Sequence, residues 1–107
     1  MSKLVLTTSL TLFAVSCAAW AADYEAGKKK AEMCATCHGA DGNKPLTPET
    51  PRLGGQYYDY LEHSLKAYRS GTRDDPLMSP MAKPLSDKEV KDLAWYFSKQ
   101  KGLTSKY

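Results

Sequence analysis

The chain has 107 residues, with 15 Lys and Arg against 12 Asp and Glu, a net charge of +3 and three cysteines. That length admits one small domain, and so slight a basic balance gives no reason to expect a nucleic-acid partner. The hydrophobic fraction of 42% is ordinary for a globular protein, but it is unevenly spread: residues 1–21 hold 14 of those residues, and beyond them stand no isoleucine and one valine, Val90. Strands favour β-branched side chains on a pleated face, so the composition argues against a sandwich or barrel. The leucines after residue 21 are Leu46, Leu53, Leu61, Leu65, Leu77, Leu85, Leu93 and Leu103. That is a lean core, and small scaffolds so placed recruit a disulfide, a metal or another filler.

The N-terminus reads as a secretory signal. Lys3 is the positive end, Leu4 to Val15 is apolar apart from Thr and Ser, and Ala19-Trp20-Ala21 puts small residues at the positions a signal peptidase reads. The expected division is a signal at 1–21 and a domain at 22–107. The apolar stretch falls short of the roughly 20 residues of a transmembrane helix, so the mature form is expected to carry no membrane span. An uncleaved anchor and lipidation at Cys17, which Ala14-Val15-Ser16 matches only loosely, are the alternatives. A bacterial periplasm fits best. Cleavage removes Cys17 and leaves Cys34 and Cys37, with 14 basic against 12 acidic residues.

Three helices are legible in the remainder. The first begins at the N-cap residue Asp23 and runs into Cys34. Gly27 lies inside it at a cost of about 1 kcal/mol relative to Ala, which either close approach by another helix or simply a weak helix start would explain. The second spans about Gln56 to Ser70, with Tyr57, Leu61, Leu65 and Tyr68 on one face and Gly71 at its C-terminal end. The third opens on the capping box Ser86-Asp87-Lys88-Glu89, flanked by the staple pair Leu85 and Val90. Val90, Leu93, Ala94 and Phe97 form its apolar stripe, with Lys99 and Lys101 in the last turn and Gly102 at its end. Gly39–Gly55 and Thr72–Pro84 read as long Gly- and Pro-rich loops. Two such loops suit a chain that wraps something.

Cys34-Ala35-Thr36-Cys37-His38 is a C-x-x-C-H motif, the pattern of c-type haem attachment. Two thiols at that spacing can each form a thioether to the porphyrin, and the adjacent His38 supplies a nitrogen to the iron. The porphyrin would also supply the missing core. Two other readings of the motif compete with it. A redox disulfide of the thioredoxin type needs a βαβ pattern that the sequence lacks. A zinc site needs four ligands, and only Cys34, Cys37, His38 and His63 are candidates. For the second axial position the candidates are Met33, Met78, Met81 and His63. Met33 adjoins Cys34 and cannot reach the opposite face, and His63 lies off the apolar stripe of its helix. Met78 and Met81 both remain, in the Pro-rich segment before the last helix.

The order of helix, C-x-x-C-H, Gly/Pro loop, middle helix, Met segment and C-terminal helix resembles the class I c-type cytochromes. Within them it is most similar to one half of the bacterial di-haem c-type cytochromes and to the haem subunit of flavocytochrome c sulfide dehydrogenases. Cys-Ala-Thr-Cys-His-Gly-Ala-Asp-Gly-Asn (34–43) and Met-Ser-Pro-Met-Ala-Lys-Pro-Leu-Ser-Asp (78–87) carry the likeness. It implies an all-α cytochrome c fold of three to four helices around one covalent haem c. It also implies thioethers at Cys34 and Cys37, His38 as proximal ligand and the Pro51 carbonyl as acceptor of the His38 Nδ1 proton. Met78 is then the distal ligand, with Met81 as runner-up, and Gly27 marks a helix crossing against Leu93 and Tyr96.

The function expected on this basis is periplasmic electron transfer by a carrier that is not itself an enzyme. Redox partners would dock transiently at the haem edge, steered by Lys44, Lys83 and Lys88. The alternatives are a haem-bearing subunit associated with a flavoprotein dehydrogenase or terminal oxidase, and an open-site haem sensor.

Overall fold

The computed structural model describes residues 2–14 and 21–102. Among these the regular elements are five helices and no strand: α1 (Tyr24–Lys30), α2 (Glu32–His38), α3 (Tyr58–Ser70), α4 (Met78–Ala82) and α5 (Asp87–Ser98). The expected cleavage site lies partly outside the described residues, as do Cys17 and Leu103. In the described part of the apolar N-terminal stretch, Leu4, Val5, Leu6, Leu10, Leu12 and Phe13 are all exposed and no helix forms.

The expected first helix is divided. Asp23 caps α1 by accepting the Ala26 amide, but a single-residue turn at Ala31 separates α1 from α2. The Ala31 carbonyl accepts both Cys34 N–H at 2.9 Å and Ala35 N–H at 3.1 Å. That mixture of i+3 and i+4 bonding is typical of helix junctions. The helix then continues past Cys34 and carries the whole motif to His38.

The expected second helix begins later than its periodicity suggests. Tyr57 is its exposed N-terminal flank and not part of the inner face, whereas Leu61 is buried. Leu65 and Tyr68 pack against the core as expected. Gly71 ends α3 in the left-handed region at φ 83°.

The segment 72–84, expected to be a loop, contains α4. Its N-terminus is built by Asp75, whose Oδ1 accepts the amides of Leu77 and Met78, each at 2.8 Å. The Asp75 carbonyl accepts Ser79 N–H at 3.0 Å. Asp75 therefore caps the Pro76-Leu77 turn that leads into α4, with Pro76 at a position where a missing N–H costs nothing.

The last helix has both halves of its capping box: Ser86 Oγ accepts Glu89 N–H, and Glu89 Oε1 accepts Ser86 N–H. Leu85 and Val90 are buried, as are Leu93, Ala94 and Phe97. The helix stops at Ser98, so Lys99 is its C-cap and Lys101 lies beyond it. Lys99 instead places its ammonium 4.0 Å from the centroid of the Trp95 ring, a cation–π contact.

The core sits where α5 crosses α1 and α3. Its buried apolar members are Ala31, Leu61, Ala82, Leu85, Val90, Leu93, Ala94, Tyr96 and Phe97. At the α1–α5 crossing a β-carbon on Gly27 would meet the Asp92 carbonyl oxygen at 2.1 Å and Tyr96 Cβ at 3.0 Å. The close approach is thus to the Asp92 backbone and Tyr96, where the family resemblance implied Leu93 and Tyr96. The buried Asp92 side chain closes the same junction. Its Oδ1 accepts Asp23 N–H at 2.8 Å, and its Oδ2 binds Lys88 Nζ at 2.5 Å. A buried carboxylate is tolerable because both oxygens have partners.

Candidate haem site

Cys34 and Cys37 stand one helical turn apart on α2, and residues at that spacing share a face. Both are free thiols, Cys34 half-buried and Cys37 exposed. Burial pushes the Cys34 thiol up to about 11; the neighbouring Cys37 adds to the rise and Lys30 opposes it. A disulfide-exchange pair needs the opposite, an attacking cysteine with a lowered pKa. The zinc alternative finds no support either. His63 is exposed on α3, and no group of three or more His, Cys, Asp and Glu is placed to hold a metal ion among the described residues.

His38 is the last residue of α2 and is 5% exposed. Its Nδ1 lies 2.8 Å from the Pro51 carbonyl oxygen. A carbonyl only accepts, so Nδ1 carries the proton and Nε2 keeps its lone pair. The bond fixes the tautomer and the ring plane and strengthens Nε2 as a donor to a metal.

The loop that delivers Pro51 is tied down at several points. Gly39 (φ 88°) terminates α2 and turns the chain. Lys44 N–H then returns to the His38 carbonyl at 3.1 Å, and Leu46 N–H to that of Cys37 at 2.8 Å. Gly42 (φ 78°) leaves no room for a side chain, since a β-carbon would fall 2.8 Å from Gly54 N. Leu53 N–H bonds the Gly42 carbonyl at 2.9 Å, and Gly55 N–H bonds that of Phe97 at 2.9 Å. Tyr96 OH donates to the Ala40 carbonyl at 2.8 Å. The loop after the motif is thereby fastened to α5.

The two methionines of α4 differ in exposure. Met78 is half-buried, and Met81 is 38% exposed. At the exit of the same segment, Arg69 of α3 donates to the Leu85 carbonyl at 3.0 Å and to Asp87 Oδ1 at 2.6 Å. Asp75 and Arg69 are site-supporting residues that periodicity did not reveal. The Asp75-Pro76 pair is the signal that would have found the first, since Asp before Pro is a helix-start signature. Asp75 is held below the usual carboxylate range by the Met78 and Leu77 amides that it accepts.

The donor set fits a covalent haem. It comprises two free thiols on one helical face, a buried imidazole with one unclaimed nitrogen, and thioether side chains on a separate short helix. Leu46 at 69% and Leu77 at 75% exposure are large apolar side chains uncovered by protein. Leu46 lies on the loop after the motif and Leu77 directly before α4. The lysines expected to steer partners, Lys44, Lys83 and Lys88, are all exposed, and Lys88 is paired with Asp92 as well.

The sequence matches the Cytochrome c protein family over residues 24–101. It is 48% identical over 83 residues to cytochrome c-554(548) of Halomonas halodenitrificans, covering 75% of this chain and 99% of that protein. It is 40% identical over 111 residues to cytochrome c4 of Stutzerimonas stutzeri, covering 95% of this chain but 52% of the relative. The chain thus spans about half the length of its cytochrome c4 relative. A similarity of 40% identity over 98 residues links it to a thiosulfate dehydrogenase electron acceptor of Thiomonas intermedia, covering 92% of this chain and 43% of that protein. Among solved structures, reduced recombinant cytochrome c4 from Pseudomonas stutzeri superposes with a TM-score of 0.72 at 40% identity, covering 78% of this chain and 48% of that one. Thiosulfate dehydrogenase (TsdBA) from Marichromatium purpuratum gives 0.70 at 28% identity, covering 78% of this chain and 20% of that one.

Proposed function

Since the chain belongs to the cytochrome c family and is an electron-transfer protein of that family with covalently bound haem c, we propose that it is a periplasmic carrier with one haem. In this reading Cys34 and Cys37 hold the haem, and His38 and Met78 ligate its iron. The observation that carries it is the buried His38 ring, bonded at Nδ1 to the Pro51 carbonyl and directly following two free thiols on one helical face. Export is supported by the signal-like residues 1–21 and by the exposure of the described apolar part of that segment. No helix among the described residues is long and apolar enough to cross a membrane.

The haem iron, when bound, supplies a reversible one-electron couple. The work of this chain is to hold that couple in one geometry through both oxidation states. The thioethers of Cys34 and Cys37 fix the group to α2. Pro51 prevents rotation of the His38 ring, and the loop bonds to α5 keep Pro51 in place. A methionine thioether is a soft ligand, so a Met78 partner favours the reduced iron and raises the potential. If His38 and Met78 both hold the iron in each oxidation state, they would close it to oxygen and substrate. These are the properties of a carrier, and they are the opposite of those of an open-site sensor.

The deciding experiment is a ferric and ferrous spectrum with reduction potential for the exported protein and for Met78→Ala and Met81→Ala. Met78→Ala is expected to lose the methionine-to-iron charge-transfer band of the ferric state and to lower the potential. Retention of the band in Met78→Ala with its loss in Met81→Ala would reverse the ligand assignment. Absence of the band from the unmutated protein would instead support the open-site reading.

A second reading is favoured by the likeness to the thiosulfate dehydrogenase electron acceptor and to the TsdBA structure. In it the chain accepts electrons within a dehydrogenase assembly, with a flavoprotein dehydrogenase or terminal oxidase as the broader class of associate. Size-exclusion chromatography of the native extract separates the two readings. A free carrier elutes alone, whereas a subunit elutes with its enzyme.

A further inference from the structure

We propose that Asp75 is a positioning residue for the distal ligand, its carboxylate setting which methionine of α4 is presented to the iron. The inference rests on the assignment of Met78 above. α4 has five residues and contains Pro80, and helices that short do not persist in water by themselves. It therefore depends on what holds its ends.

At the entry, four hydrogen bonds join residue 75 to residues 77–79. Oδ1 accepts Leu77 N–H and Met78 N–H at 2.8 Å each, the Asp75 carbonyl accepts Ser79 N–H at 3.0 Å, and Ser79 Oγ accepts Asp75 N–H at 3.0 Å. Ser79 Oγ also approaches Asp74 Oδ1 at 3.4 Å. At the exit Arg69 holds Leu85 and Asp87. Only the entry clamp bonds a methionine directly.

The choice between the two methionines is a narrow one. At 3.6 residues per turn, positions three apart differ by about 60° around the helix. Met78 and Met81 therefore share nearly one face, and a small change in where the helix starts or how it winds exchanges the inner methionine. Asp75 fixes the start at the amide of Met78 itself. A half-buried Met78 and a Met81 that is 38% exposed accord with that setting.

The test uses the exported holoprotein with Asp75→Ala, Asp75→Asn, Met78→Ala and Met81→Ala, read by the ferric methionine band, the reduction potential and thermal melting. Asp75→Ala is expected to lose most of the band and to shift its potential toward that of Met78→Ala. Asp75→Asn, whose side-chain carbonyl still accepts both amides, is expected to retain both. Where Asp75→Ala does not accumulate, Asp75→Gly replaces it, since glycine is a tolerated cap that lacks the acceptor. A lowered melting temperature with band and potential intact would reduce Asp75 to a stability cap and overturn the proposal. Retention of the band in Met78→Ala would instead overturn the ligand assignment, and this inference with it. Loss in Met78→Ala alone, with Asp75→Ala and Asp75→Gly unchanged, would sink only the positioning role.

Discussion

A β-carbon on Gly27 would stand 2.1 Å from the Asp92 carbonyl oxygen and 2.7 Å from its carbon. Both are backbone atoms, and no side-chain rotation relieves the clash. Gly27→Ala is therefore expected to destabilise by at least about 1–3 kcal/mol, the range for overpacking, although alanine is the better helix former by about 1 kcal/mol. Thermal denaturation decides the sign. Tyr96→Phe removes the hydrogen bond to the Ala40 carbonyl and is expected to cost about 1 kcal/mol, measurable by denaturant unfolding. The sequence shows Gly27 as an anomaly within a helix and suggests that another helix approaches it. Which backbone approaches depends on the crossing of two helices, and residue spacing does not encode that.

Among the elements, α5 shows how closely local chemistry can specify a helix start. Ser86→Ala removes half of the capping box and is expected to cost about 1 kcal/mol, checked by the melting temperature. Glu89 also serves a tertiary contact, since its Oε2 binds Lys30 Nζ at 2.6 Å and so joins α5 to α1. The Lys30 bond first, then the Ser86 amide, lower the Glu89 carboxyl from its ordinary 4.5 to about 2. A carboxyl whose pKa is lower in the folded state stabilises that state above its ordinary pKa and loses the contribution as pH falls through the folded value. Stability should therefore decline between about pH 4.5 and 2, and Glu89→Gln should flatten that part of the curve. Acid titration followed by circular dichroism tests it. The start of α5 was legible because cap, staple and apolar stripe all agree, whereas its end fell at Ser98, short of the turn that Lys99, Lys101 and Gly102 suggested. α4 was not legible, because Met-Ser-Pro-Met-Ala is too short for a period and contains a proline. Its cue lay outside the helix, in Asp75-Pro76. The break at Ala31 left no cue of any kind, because alanine continues a helix as readily as it borders a turn.

For the molecule as a whole, the lean composition has a structural counterpart. Leu93 and Val90 are the largest fully buried side chains, while Leu46 and Leu77 remain exposed on the segments expected to wrap the haem. So small a core leaves little margin. Preventing haem attachment with Cys34→Ala and Cys37→Ala together is expected to abolish cooperative thermal unfolding, with loss of the near-ultraviolet signal of Tyr96 and Trp95. A sharp melting transition in that variant would show the protein core to be sufficient. The sequence showed the shortage of core directly, and the C-x-x-C-H motif showed what could remedy it. That the first and last helices cross at Gly27 was implied by the resemblance, but the Asp92 side chain that ties the ends together was not readable. Asp23 N–H bonds Asp92 across 69 residues, and α1 packs mainly on α5. A chain synthesised from its N-terminus presents Cys34 and Cys37 long before α5 exists to close over α1. The contact between first and last helices can therefore close only after the motif has emerged, and without the haem it is not expected to hold. A chain arrested before Asp87 and the complete chain lacking haem should both leave Cys34 and Cys37 open to an alkylating reagent, whereas attachment consumes both thiols and lets the brace form.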